Sequence, residues 1–144
     1  MSTSIKSYNT LPDAAKKIRT QVFVEEQGFC EEFDQVDARA THFLLTVEGA
    51  AVATCRIFPH GTDGTFVMGR LAVVKQYRGS GLGRKILAFA EKEAARQGAD
   101  KMLIHSQARA QGFYAACGYL PTGENDTEEG CPHVWMAKPL LPTE

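Results

Sequence analysis

No stretch of this chain approaches the roughly 20 consecutive apolar residues that a membrane-spanning helix needs. Its first residues, Met1 to Asn9, carry Ser, Thr, Lys and Tyr without the apolar centre of a secretion signal. The expectation is a cytoplasmic protein with no membrane partner. An excess of charge is missing too: 16 Lys and Arg stand against 17 Asp and Glu, a formal net charge of -1, which gives no support to a general grip on nucleic acid. Cysteine is sparse and scattered. Cys30, Cys55, Cys117 and Cys131 form no C-x-x-C pair, so they read as free thiols, with Cys55 and Cys117 acting as small buried hydrophobes. His42, His60, His105 and His133 lack the i,i+4 spacing of a helical zinc site. No metal is expected from spacing; a metal centre would need a cluster assembled only in space.

What is present suits one folded unit. A chain of 144 residues, 44% hydrophobic and 23% charged, is long enough to bury roughly 68% of its unfolded surface in one core, but too short for two ordinary domains. No linker, repeat or low-complexity tail divides it, so residues 1–144 read as a single domain.

Ser4 to Tyr8 predicts a short strand, and Leu11-Pro12-Asp13 introduces a helix to about Glu26, with Ile18, Val22 and Ala14 or Ala15 on its apolar face and Gly28 as its stop. The charged stretch from Phe29 to Thr41 predicts a short second helix and a loop. Three strand-like runs follow, His42 to Glu48, Ala51 to Pro59 and Thr65 to Val74, joined by Glu48-Gly49 and Gly61-Thr62-Asp63-Gly64 into an antiparallel meander. Leu82, Ile86, Phe89, Ala90 and Ala94 recur at helical spacing until Gly98. Beyond it come a strand at Lys101 to His105, a helix at Ala108 to Cys117, a turn at Gly118-Tyr119 into a further strand, a polar loop at Thr122 to Pro132 and a last strand at Val134 to Ala137. This order predicts an α/β fold, a mixed and mostly antiparallel sheet flanked by helices.

The most informative run is Gln76-Tyr77-Arg78-Gly79-Ser80-Gly81-Leu82-Gly83. Its glycines permit a tight turn, and the helix that follows aims unpaired N–H groups and its positive dipole end outward. Such a turn suits a pyrophosphate, with Arg78 adding a charge-assisted contact, although a plain strand-to-helix connection also calls for glycine. It is no P-loop, since no Gly-Lys-Ser/Thr follows, and Arg84 stands where a dinucleotide fingerprint has its last glycine.

With the strand Gly69 to Val74 before it and Phe113-Tyr114-Ala115-Ala116-Cys117-Gly118-Tyr119 after it, the chain resembles the GCN5-related N-acetyltransferase (GNAT) family. The first run resembles that family's acetyl-CoA pyrophosphate loop, and the second its F-Y-x-x-x-G-F element, with Tyr119 where Phe is common. Arg19 to Gln27, Glu31 to Asp37, His42 and Gly130-Cys131-Pro132-His133 are similar to the bacterial ElaA-like or YjcF-like branch. The polar Asn125-Asp126-Thr127 departs from that branch.

The resemblance implies a GNAT fold and direct transfer of acetyl from acetyl-CoA to an amine on a small molecule or peptide, without a covalent acyl-enzyme. An inactive acyl-CoA-binding sensor or interaction module is the alternative. Leu71, Ala72 and Val73 would lie where their strand splays from its neighbour, the Val73 N–H polarising the acetyl carbonyl. Arg78, Gly79, Gly81, Leu82 and Gly83 would hold the pyrophosphate, with Ser80 as a further donor. Tyr114, beside the cofactor, would protonate the departing thiolate, while Phe113 would pack inward. Glu26 would take the amine proton or orient a water, with His133 and His42 as rivals. Each assignment has a plainer counterpart: strand pairing for Val73, surface charge for Arg78, packing for Tyr114, a solvated helix end for Glu26. If the helices close over the cleft, Glu25, Glu26, Glu31, Glu32, Asp34 and Asp37 would favour a cationic acceptor. Pairing of family members makes a homodimer compatible with this reading.

Overall fold

Strand β1 (Thr3–Tyr8) leads through Pro12 into helix α1 (Asp13–Arg19). The extended backbone of Pro12, at ψ 149°, gives the helix its start without needing an N–H. The computed structural model describes residues 2–29 and 34–140. Helix α1 runs on without a break into a wider π-helical segment, Thr20–Glu26, in which the Gln27 N–H reaches back five residues to the Val22 carbonyl. This bulged turn carries Glu26 and Gln27 off the end of the helix, a common use of π geometry near functional sites. A 3-10 turn at Gln35–Ala38 is the described part of the predicted second helix; Cys30, Glu31, Glu32 and Phe33 lie outside the described residues.

The meander follows as β2 (Thr41–Val47), β3 (Ala50–Pro59) and β4 (Thr65–Val73). Helix α2 (Leu82–Arg96) then carries the chain to β5 (Lys101–Gln107), and α3 (Gln111–Ala116) leads to β6 (Leu120–Glu128) and β7 (Cys131–Pro139). The sheet order is β1-β2-β3-β4-β5-β7-β6. Every neighbouring pair is antiparallel except β4 and β5, which α2 joins by the crossover that parallel strands require.

Successive residues of β3 are buried on both faces, Ala53, Cys55 and Ile57 on one and Val52, Thr54 and Arg56 on the other. The centre of the sheet is therefore covered on both sides. Helix α2 contributes Leu82, Ile86, Leu87, Ala90 and Ala94 to the core. Phe89, expected on that face, instead flanks it, 39% exposed, its ring edge-on to Phe43. A second correction concerns the segment read as a polar loop from Thr122. Most of it is edge strand β6, exposed at every position and paired only with β7, so no face of it calls for apolar residues.

The feature that makes a site is a split in the sheet. Strands β4 and β5 pair only from Thr65–Lys101 to Met68–Ile104. Beyond that point β4 continues along β3 as far as Val73, while β5 continues along β7 to the Gln107–His133 pair. Two irregularities accompany the split: a register shift between Thr54 and Arg56 on β3, and a positive φ of 54° at Arg70.

Candidate active site

One wall of the split is the turn into α2. Gly79 and Gly81 both take φ +82°, and Gly81 is the N-cap of the helix. A side chain there meets left-handed backbone that costs about 1–2 kcal/mol. The Lys85 N–H is bonded back to the Gly81 carbonyl, so the N–H groups of Leu82, Gly83 and Arg84 have no partner from within the helix. At Gly83 the turn runs close under an aromatic ring: an added Cβ would sit 3.3 Å from the Phe113 ring, which would have to give by a few tenths of an ångström. Phe113 is accordingly not packed inward, as the sequence reading had it, but 38% exposed over the turn.

Arg78 is held from two sides. Its Nε donates to the Val73 carbonyl at 2.8 Å, and Nη1 and Nη2 donate to the two oxygens of Glu26 at 2.6 and 2.8 Å. The hydrogen bond from Arg78, outweighing partial burial, holds the Glu26 carboxyl below the usual carboxylate range. Ser80 donates to the Tyr77 carbonyl at 2.7 Å, and Arg84 to the Ala116 carbonyl at 3.0 Å.

These elements enclose a cavity of about 660 Å³. Leu71, Ala72, Val73, Arg78, Gly79, Gly81, Leu82, Gly83 and Tyr114 all line it, and Ser80 does not. Gln27, Ala110 and Phe113 line it too. Gln27 and Phe113 stand inside the quoted motifs; Ala110 carried no signal, being brought there by the turn before α3. The Val74 N–H donates to the Val52 carbonyl on β3, so strand alternation turns the N–H of Val73 the other way, toward the split.

A second cavity, of about 370 Å³, lies across the split and shares Gln27, Leu71, Ala110 and Tyr114 with the first. Its remaining walls include Phe58, Arg56 and Asp34 on one side and His105, Glu128, His133 and Trp135 on the other. Tyr114, 8% exposed, is set by edge-on contacts with Phe113 and Tyr119. Burial pushes its phenol well above the ordinary range. Among the described residues, its hydroxyl has no hydrogen-bond partner.

The other candidates separate. His133 lines the second cavity. His42 lines neither; its Nε2 donates to the Asp37 carbonyl at 2.9 Å, and burial lowers its imidazole against the pull of that bond. Asp37 accepts from Arg19 and from Arg56, and Asp34 from Arg56 and Arg70. With Glu26 on Arg78, three of the acids expected to attract a cationic acceptor are matched by arginines instead.

Comparison with known proteins places this geometry. Residues 10–140 match the family model described as an acetyltransferase (GNAT) domain. The N-acetyltransferase YjcF of Bacillus subtilis, itself uncharacterized, is 32% identical over 124 residues, covering 84% of this chain and 87% of its own length. Escherichia coli ElaA superposes with a TM-score of 0.84 at 26% identity, over 95% of this chain and 99% of that one. An acyl-CoA N-acyltransferase from Pseudomonas aeruginosa gives 0.82 at 26% identity, over 95% and 99%. The match spans the split sheet, the glycine turn and the second cavity alike, and the chain belongs to the GNAT acetyltransferase family, related to ElaA and YjcF.

Proposed function

We propose that this protein transfers the acetyl group of acetyl-CoA directly to an amine acceptor. The observation that carries the reading is the wall shared by two cavities: one faces the glycine turn, the other is polar, and Tyr114 belongs to both. The likeness to an acyl-CoA N-acyltransferase supports the choice of thioester.

Acetyl-CoA fits the first cavity by its chemistry. Its pyrophosphate takes the N–H groups of Leu82 and Gly83 that the helix leaves without a partner, beside the lining Gly79 and Gly81, and the charge of Arg78. Its pantetheine arm runs along Leu71, Ala72 and Val73, and the acetyl oxygen accepts from the Val73 N–H, which stabilises the oxyanion as the amine adds. The new C–N bond forms and the C–S bond breaks; the thiolate takes the Tyr114 proton, and the proton that the amine nitrogen sheds passes by way of solvent to the Tyr114 oxygen and restores the phenol. Burial holds that phenol in its protonated, hydrogen-donating form. The amine enters from the second cavity, whose volume of about 370 Å³ suits a small molecule or the tip of a peptide side chain.

Glu26 serves as the brace of Arg78 in this scheme. Both of its oxygens accept from the guanidinium, and its lowered proton affinity makes it a poor base. Titration calorimetry with acetyl-CoA tests the cofactor placement. Saturable binding at one site, weakened about tenfold or more by Arg78→Ala, is expected; heat-silent mixing with the folded protein would overturn it.

A further inference from the structure

The second cavity contains a group of side chains that acetyl transfer leaves without a role. His105 on β5, Glu128 at the end of β6 and His133 on β7 each bring one ligand-type atom into a set lying within 4.8 Å of one another. His105 Nδ1 and His133 Nε2 each stand 3.7 Å from Glu128 Oε2. Sheet register gathers them: β5 and β7 pair Gln107 with His133 and His105 with Trp135, and β6 and β7 pair Glu128 with Cys131. The two imidazoles therefore come from diagonal positions on adjoining strands, their rings 4.4 Å apart at 29°.

The remaining nitrogen of each ring fixes its tautomer. His133 Nδ1 lies 2.8 Å from the Cys131 carbonyl, and His105 Nε2 lies 2.6 Å from Asp126 Oδ1. A carbonyl or an ionised carboxylate only accepts, so each of these nitrogens carries the hydrogen, assigned from its partner. In the neutral rings the lone pairs then sit on His105 Nδ1 and His133 Nε2, the nitrogens next to Glu128. Carbonyl and carboxylate acceptors behind ligand imidazoles are the usual outer partners of metal-binding histidines.

We propose that His105 Nδ1, His133 Nε2 and the Glu128 carboxylate form a binding site for one divalent transition-metal ion, Zn²⁺ foremost, in the wall of the second cavity. Two imidazoles and one carboxylate suit zinc and its neighbours, whereas Ca²⁺ and Mg²⁺ call for oxygen donors. Tetrahedral zinc sets such ligand atoms about 3.4 Å apart. The two imidazole-to-carboxylate separations are 3.7 Å and the whole set lies within 4.8 Å, so binding draws the atoms together by rotation of the half-exposed Glu128 and of the imidazoles, which stack on each other and, for His105, on Trp135. Three protein ligands leave a coordination position, and all three ligand residues line the cavity. The site is independent of the acetyl-CoA cavity and does not rest on the transfer reaction.

The test uses the full chain freed of any affinity tag, with Zn²⁺ alone by calorimetry and Co²⁺ alone by visible absorption. The expected result is one ion per chain and an intense tetrahedral Co²⁺ spectrum. Affinity falls about 100-fold or more in Glu128→Gln and His133→Ala, and about 10- to 100-fold in Asp126→Asn, which removes an outer partner. Glu128 is exposed enough for its variant to keep the fold if His133→Ala does not, and thermal melting of the metal-free variants checks this. Cys131→Ser retains the ion, because only its backbone carbonyl is used. Absence of stoichiometric binding, binding unchanged in Glu128→Gln, or loss of the ion in Cys131→Ser each overturns the site.

Discussion

Burial keeps the Tyr114 phenol protonated at neutral pH, and the same burial places it where both cavities end. Its hydroxyl is the only atom by which Tyr114→Phe differs from the parent. That substitution is expected to lower the rate of CoA release about 100-fold while leaving the acetyl-CoA dissociation constant unchanged. Stopped-assay thiol titration and calorimetry read the two quantities separately, and an equal rate in the variant would reduce Tyr114 to packing. Glu26→Gln separates brace from base. An exposed arginine–carboxylate pair contributes at most about 1 kcal/mol, so acetyl-CoA binding should weaken only a few-fold. The pH profile of turnover should stay in place; a moved acid limb would return Glu26 to the role of base. At this scale the glycine turn was legible because backbone freedom and dipole are local properties of sequence. The pairing of Glu26 with Arg78 was not legible because the two lie 52 positions apart. The Ser80 hydroxyl turns back to the Tyr77 carbonyl, a choice of side-chain rotamer that the residue pattern does not show.

Between elements, the segment after the π-helical turn is fastened to the sheet by buried charge. Arg19, 1% exposed, donates through both terminal nitrogens to Asp37, which also accepts from Arg56. Burial raises the Asp37 carboxyl, but the hydrogen bonds and charges of Arg19 and Arg56 outweigh it and hold the group at about 2. An unfolded aspartate titrates near pH 3.9. The stabilisation is therefore complete above about pH 4 and lost as pH falls through about 2, about 2 kcal/mol in all. Asp37→Asn should cost about 3 kcal/mol at neutral pH by leaving buried arginine charge uncompensated and should flatten that acid limb. Urea unfolding between pH 2 and pH 7 measures both; an unchanged limb would assign the acid loss to other carboxylates. Gly81→Ala should cost about 1–2 kcal/mol, for a reason of backbone and not of crowding, since among the described residues, chain neighbours aside, nothing lies within 4 Å of the added Cβ. Helix α2 and strand β5 were legible because each buries a periodic stripe, and strands β2 to β4 because each is a run with successive buried residues bounded by turn residues. Strand β6 was not, because a strand with neither face covered has no alternation to show.

Across the whole molecule, one topological event organises the chemistry: the parallel pair β4 and β5 comes apart partway along β4. The crossover helix that makes the pair parallel also delivers its N-terminus to the opening, and the parting strands leave room on either side of Leu71 and Tyr114. The element order was readable from sequence, and with it the family. The His105–Glu128–His133 group was not, since its members lie 23 and 5 positions apart and meet only through sheet register. The measurement that bears most directly on the account is mass spectrometry of a broad library of primary and secondary amines incubated with the protein and acetyl-CoA, against enzyme-free controls and Tyr114→Phe. The account predicts acetylated amine, with one equivalent of free CoA for each product, at a rate that collapses in the variant. Saturable acetyl-CoA binding with no acetylated product from any amine would contradict it.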